Sequence, residues 1–256
     1  MTIGSFTIVR NEIQFIKAHI DAWIKHLDCM VFFDGVSSDG TLEILRTYAK
    51  ENPKIILVEN KDPINLQSDY ERISNEALRS CTADLVMFLH PDFFPENPEA
   101  LKTLPDDMIA GTFNVRSFAG NPGETLYEIL GRGTRWKDIY RLHNPDLGAH
   151  YHGHYGAQNE DIYFSEITGN AHEHYGQDFD KYPYPVFDSP LVINHYSDVR
   201  PYARRLERMQ RCLINQGHSP DVAKVMAPKH PRVSLIAGRD FRFIEVKTPL
   251  FLMEGK

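Results

Sequence analysis

The stretch SFTIVRNEIQFIKAHIDAWIKHLDCMVFFD, residues 5–34, decides the fold. It opens on a short β-rich apolar run, SFTIVR. In FIKAHIDAWIKHL, residues Ile16, Ile20, Trp23, Ile24 and Leu27 then recur at helical spacing. The run MVFFD, residues 30–34, is apolar again. Strand, helix, strand is the prediction, and a helical crossover of that length joins parallel strands with a right-handed connection.

The alternation continues outward from there. Ser37, Ser38 and Asp39 offer N-caps to GTLEILRTYAKEN, in which Leu42, Leu45 and Ala49 share a face. KIILVE is a third apolar run, NLQSDYERISNEALRSC carries Tyr70, Ile73, Ala77 and Leu78 on one helical stripe, and DLVMFL is a fourth run. Four strands separated by three helices predict an α/β chain with a mainly parallel sheet flanked by helices.

From 95 to 187 the chain is rich in Gly, Pro, His and Tyr, which predicts short strands and loops packed on the same sheet. PLVINHY, residues 190–196, reads as a strand ending in His195. RPYARRLERMQRCLINQG then reads as a helix, with Pro201 in its first turn, an apolar face of Tyr202, Leu206, Met209 and Leu213, and Gly217 as its stop. FRFIEVKTPLFLM predicts one or two late strands. Without repeats, low-complexity tracts or linkers, the 256 residues read as a single domain.

Composition narrows the function. With 42% hydrophobic, 25% charged and 11% aromatic residues, the chain is an ordinary globular one. A net charge of -7 and a pI near 5.9 argue against nucleic acid as a partner. The one dense basic cluster is Arg200, Arg204, Arg205, Arg208 and Arg211. Cys29, Cys81 and Cys212 have no C-x-x-C spacing, so reduced, partly buried thiols and a cytoplasmic location are expected. The start MTIGSFTIVRNE carries no signal-peptide pattern, and no run approaches the roughly 20 apolar residues of a membrane span. Any membrane contact is therefore expected to be peripheral.

Ligands of open α/β sheets bind at the carboxyl ends of the parallel strands. Here those ends carry Arg10-Asn11-Glu12, Asp34-Gly35 and His90-Pro91-Asp92, the last inside FLHPDFFPENP, residues 88–98. TIVRNE, the D-x-x-S-x-D-G-T of Asp34, Ser37, Asp39, Gly40 and Thr41, the acidic close of the fourth strand, and INHYSDVRPYARRLERM occur in that order. In this the chain resembles the GT-A fold nucleotide-sugar glycosyltransferases, in particular the family-2-like branch.

The resemblance implies transfer of a sugar, with inversion, from a nucleotide-sugar donor, usually a UDP-sugar, to a glycan or other hydroxyl acceptor. It implies a nucleotide-binding half over 1–94, an acceptor and catalytic half over 95–217, and a C-terminal extension over 218–256. The backbone at Val9 and the carboxylate of Asp34 would hold the base, flanked by Arg10, Glu12 and Asp39; a helix cap is the other reading of Asp39. Asp92 matches the second aspartate of the family's D-x-D and would hold a divalent metal, Mn2+ or Mg2+. His90 stands where the family has the first aspartate; imidazole suits Mn2+ better than Mg2+, and hydrogen bonding within the loop is its alternative. His195 is a further candidate ligand or a structural histidine. Arg204, with Arg205 and Arg208, would meet the diphosphate or else form a solvated basic face. Asp161, with Glu160 beside it, is the candidate base, and an acidic helix start is the alternative.

One tract fits a different chemistry. His150, His152 and His154 in GAHYHGHYG would share one face of a strand and suit zinc, as in a metal-dependent hydrolase, although no H-E-x-x-H accompanies them. Within the resemblance the same rings belong to an acceptor-side loop. A nucleotide-binding relative without catalysis is the third class, because the D-x-D is incomplete.

Overall fold

The computed structural model describes residues 1–62, 66–108, 110–131, 135–143, 149–152, 161–164, 186–215, 217–235 and 241–246. The chain divides into two compact units, Met1–Phe113 with Lys137–Leu191, and Asn114–Trp136 with Val192–Lys256.

In the first unit the expected alternation is present. Strands β1 (Ile3–Val9), β2 (Cys29–Asp34), β3 (Ile55–Glu59) and β4 (Leu85–Phe88) alternate with helices α1 (Ile16–Trp23), α2 (Thr41–Glu51) and α3 (Leu66–Ser80). All pairings among the four strands are parallel, in the order β3-β2-β1-β4. The order reverses at β1, and such a reversal opens a crevice at the strands' carboxyl ends. All six residues of β2 are buried, as its unbroken apolar run requires of a strand covered on both faces. Phe6 and Phe88, partners in the β1–β4 register, stack with ring centroids 4.7 Å apart.

Helix α1 buries Ile16, His19, Ile20 and Trp23. Trp23 is wholly buried, so truncating it to Ala would cost about 3–5 kcal/mol. Beyond β4 come β5 (Phe93–Pro95), a 3₁₀ turn (Pro98–Thr103), β6 (Ala110–Gly120), β7 (Leu126–Gly131) and β8 (Arg135–His143). β8 runs antiparallel to β4, pairing Val86 with His143. The hairpin of β9 (Ala149–His152) and β10 (Asp161–Phe164) follows, and then β11 (Val186–Val199).

Where short strands were expected, β6 has 11 residues and β8 has nine. The signal of β6 was masked by polar residues that find partners. Within the second unit Arg116 makes a two-pronged ion pair with the buried Glu128 of β7 at 2.8 and 3.2 Å. β6, β7 and β12 (Phe241–Val246) form an antiparallel set there.

β11 does not end at His195 but continues to Val199, carrying Ser197 and Asp198 into buried positions. Helix α4 (Tyr202–Asn215) follows, and Gly217, at a φ of +92°, turns the chain after it. Its Leu206, Met209 and Leu213 pack on Ala223 and Ala227, which belong to α5 (Pro220–Met226) and the turn after it; a short α6 (Pro231–Ser234) follows. Tyr202 departs from the expected apolar face. It lies in the first turn and is 47% exposed. Among the described residues no helix is long and apolar enough to cross a membrane.

Candidate functional site

The carboxyl ends of β1 and β2 are adjacent by construction, since Val9 is the register partner of Asp34. The Gly35 N–H donates to the Val9 carbonyl at 2.8 Å, closing the two strand ends together. Asp34 is 1% exposed. Its Oδ2 accepts from the Ser37 N–H at 3.0 Å, while Oδ1 is buried and has no partner among the described residues. A buried acceptor left unmet costs free energy, so this oxygen is held at a cost where the ends of β1 and β2 meet.

The loops beyond these strands are tied to each other. The Asn11 N–H donates to Ser37 Oγ at 3.0 Å, the Glu12 N–H to Thr41 Oγ1 at 2.9 Å and the Ile13 N–H to Asp39 Oδ2 at 3.1 Å. In return the Ser38 N–H donates to Asn11 Oδ1 at 2.8 Å. Asp39 also receives the Thr41 hydroxyl at 2.6 Å and the Thr41 N–H at 3.0 Å on Oδ1. Burial would raise the Asp39 carboxyl, but the bonds from Thr41 and Ile13 prevail and hold it below the usual carboxylate range. Both of its oxygens are thus occupied, which identifies Asp39 as the pin between two loops at the start of α2. Asn11 and Val36 lie at φ of +58° and +62°. For a β-branched residue such as Val36 that conformation is strained. Asn11 and Ser37 were not singled out for these roles in the sequence, because their importance lies in bonds between segments remote from one another.

The third rim segment is a tight turn. The Phe93 N–H donates to the His90 carbonyl at 3.0 Å, so His90-Pro91-Asp92-Phe93 folds back on itself and Asp92 is 4% exposed. The His90 imidazole packs between the rings of Phe88 and Phe93, at 5.0 and 4.8 Å between centroids. The turn is held from beneath by α1. Trp23 Nε1–H donates to the Phe93 carbonyl at 2.9 Å, and His19 Nδ1 lies 3.1 Å from the same oxygen. A carbonyl only accepts, so Nδ1 carries the proton and the buried Nε2, which has no partner among the described residues, is a bare lone pair. Burial, opposed in part by the Phe93 carbonyl and the Asp92 charge, lowers the His19 pKa to about 4.

Residues 6–159 match the family model described as Glycosyl transferase family 2. The chain belongs to the Glycosyl transferase family 2. No curated protein sequence matches it.

Several solved transferase structures are similar at low identity. The mannosyltransferase PcManGT from Pyrobaculum calidifontis, in complex with GDP-Man and Mn2+, is 17% identical over 88% of this chain and 68% of that one, with a TM-score of 0.46. S. aureus TarS 1-349 in complex with UDP-GlcNAc is 11% identical over 92% of this chain and 71% of that one, with a TM-score of 0.45. Glucosyl-3-phosphoglycerate synthase from Mycobacterium tuberculosis, with Mn2+ and UDP, is 19% identical over 46% and 44%, with a TM-score of 0.34. Against TarS the match spans only 22% of that chain, at a TM-score of 0.37.

Within this family member the first unit brings together Val9, Arg10, Glu12, Asp34 and Asp39 on two adjoining strand ends. Asp92 and His90 close the strand on the other side of β1. His195 and Arg204 belong to the second unit. His195 is half-buried within β11, and Arg204 is exposed and paired with Glu207 at 3.1 Å. Arg205 is no part of a solvated basic face: it is 4% exposed and donates to the Gly120 carbonyl at 2.7 Å, to Asn121 Oδ1 at 2.8 Å and to the Arg200 carbonyl. Burial lowers its pKa. Arg208 likewise donates to the Ser197 carbonyl.

Asp161 opens β10, its backbone opposite His152, with Tyr163 opposite His150. Glu160 and His154 lie outside the described residues. Among the described residues no three of His, Cys, Asp or Glu gather into a metal-binding group. A hard divalent ion is commonly held by one or two carboxylates completed by substrate phosphates, and the buried Asp92 turn fits that pattern.

Proposed function

We propose that this family member transfers a sugar from a nucleoside diphosphate sugar, a UDP-sugar on this reading, to a hydroxyl of a glycan or related acceptor, with inversion and with Mn2+ or Mg2+. Asp34 carries the reading. It is a buried strand-end carboxylate with one oxygen satisfied by Ser37 and the other without a donor among the described residues, and the N–H of a uracil base would supply such a donor. Val9 adds backbone beside it, and Arg10 and Glu12 border the same edge.

Asp92 would hold the ion together with the donor's diphosphate, with His90 as its neighbour. The assignments of His195 to the ion and of Arg204 to the diphosphate rest on the family resemblance. When bound, the ion neutralises charge on the departing nucleoside diphosphate. Asp161 would take the proton from the acceptor hydroxyl as its oxygen attacks the anomeric carbon, with Glu160 the alternative. The same reading makes the protein a cytoplasmic enzyme of polysaccharide biosynthesis; its buried free thiols, Cys29 and Cys81, accord with a reducing compartment. The hydrolase reading is not favoured, because the family match extends across the histidine tract.

Calorimetric titration of UDP and GDP, with and without Mn2+, tests this. The intact chain should prefer UDP, Asp34→Asn should weaken UDP about tenfold, near 1.4 kcal/mol, and Asp92→Asn should keep UDP binding while losing its enhancement by Mn2+. Identical UDP affinity in the parent and Asp34→Asn would sink the base assignment. Asp161→Asn should bind donor and fail to transfer; sustained turnover would move the base to Glu160.

A further inference from the structure

Two of the three cysteines, far apart in sequence, meet on the side of the sheet away from the ligand rim. Cys29 opens β2, whose other end is Asp34, and Cys81 directly follows α3. The contact depends on Gly4. In the β1–β2 register Gly4 is the partner of Cys29. A Cβ built on Gly4 would come within 2.4 Å of Cys81 Sγ, 2.9 Å of the Ala83 Cβ and 3.2 Å of the Cys29 carbonyl oxygen. The Cys81 sulfur therefore occupies the space that the missing side chain leaves next to Cys29. Both thiols are free and buried, at 7% and 5% exposure.

We propose that Cys29 and Cys81 form a reversible disulfide, with a small-molecule disulfide such as oxidised glutathione as the oxidant. Cys29, at 7% exposure against 5% for Cys81, is the more open of the two, and the Cys81 side chain beside it holds its thiol below the usual range. Cys29 attacks as the thiolate. Its sulfur bonds to one sulfur of glutathione disulfide, that S–S bond breaks, and one glutathione thiolate leaves. Cys81 then loses its proton to solvent and attacks the Cys29 sulfur of the mixed disulfide, releasing the second glutathione. Two protein thiols are oxidised and one glutathione disulfide is reduced to two thiols. The crosslink would fasten the start of β2 to the end of α3 and leave Asp34 and Asp92 untouched.

The native chain, incubated in glutathione buffers of graded redox ratio, is alkylated and examined by intact mass and peptide mapping. The expected result is loss of two hydrogen atoms and a peptide joining Cys29 to Cys81, reversed by reduced glutathione, with UDP binding unchanged. Cys81→Ser should instead retain a glutathione adduct on Cys29. A native chain whose Cys29 and Cys81 both remain alkylatable as free thiols under oxidising ratios, or whose Cys29 adduct persists without crosslinking, overturns the proposal. A crosslink that involves Cys212 instead also overturns it.

Discussion

His19 and Trp23, one turn apart on α1, converge on a single acceptor, the carbonyl oxygen of Phe93. Two donors on one carbonyl fix the last residue of the turn that carries Asp92. Replacing Trp23 by Phe keeps most of the ring volume and removes one donor. It should lower stability by about 1–2 kcal/mol, read from the urea midpoint, and weaken Mn2+-coupled UDP binding. An unchanged midpoint would mean that His19 alone holds the carbonyl.

His19 also sets an acid limit. Its pKa falls from 6.5 to about 4 on folding, so between those values the unfolded chain binds a proton that the native chain refuses. Stability is therefore whole above about pH 6.5 and drains as the pH falls toward 4, with a slope approaching about 1.4 kcal/mol per unit. Asp92, the charge facing this imidazole, works in the opposite sense. His19→Asn retains an N–H for Phe93 without a titrating ring, and urea melts across this range should show it to be flatter than the parent. Parallel profiles would assign the acid slope to other groups.

Asp39 is read as a pin. Asp39→Ala strips three donors of their acceptor, those of Ile13 N–H, Thr41 N–H and the Thr41 hydroxyl. A loss of about 1–2 kcal/mol is expected. Whatever folded protein remains should still prefer UDP over GDP. A variant that keeps its stability but loses that preference would return Asp39 to the ligand.

Val36 holds a left-handed conformation that suits Asn or Gly and strains a β-branched side chain. Val36→Asn should raise the melting temperature by relieving about 1 kcal/mol of that strain. A lower melting temperature would show that packing of the Val36 methyl groups outweighs the backbone.

The first unit was legible because its helices and strands announce themselves by period. Ile16, Ile20 and Trp23 recur at helical spacing, and MVFFD is a continuous apolar run. The rim followed from them, since the strand ends of an α/β sheet are where polar residues such as Asp34 and Asp92 have reason to stand. What the sequence hid were relationships across distance: Asn11 with Ser37, His19 with Phe93, Cys29 with Cys81. None has a spacing, because each is made by the fold. β6 was obscured for a related reason, as the buried Ser117 breaks the alternation and the neighbouring Arg116 pairs with the buried Glu128 of another strand.

The cross-tied loops also decide what this edge is suited to hold. The amides of Asn11, Ile13, Ser37 and Thr41 already donate to Ser37, Asp39, Asp34 and Asp39 again. Helix α2 thus begins with its own carboxylate seated at the amino end, where an anion would otherwise be welcome. The edge formed by β1 and β2 therefore has few amides left to give a phosphate, while one Asp34 oxygen stays unfilled among the described residues. On the proposed reading such an edge would choose among bases by what they donate, and the negative part of the nucleotide would find its counter-charge elsewhere.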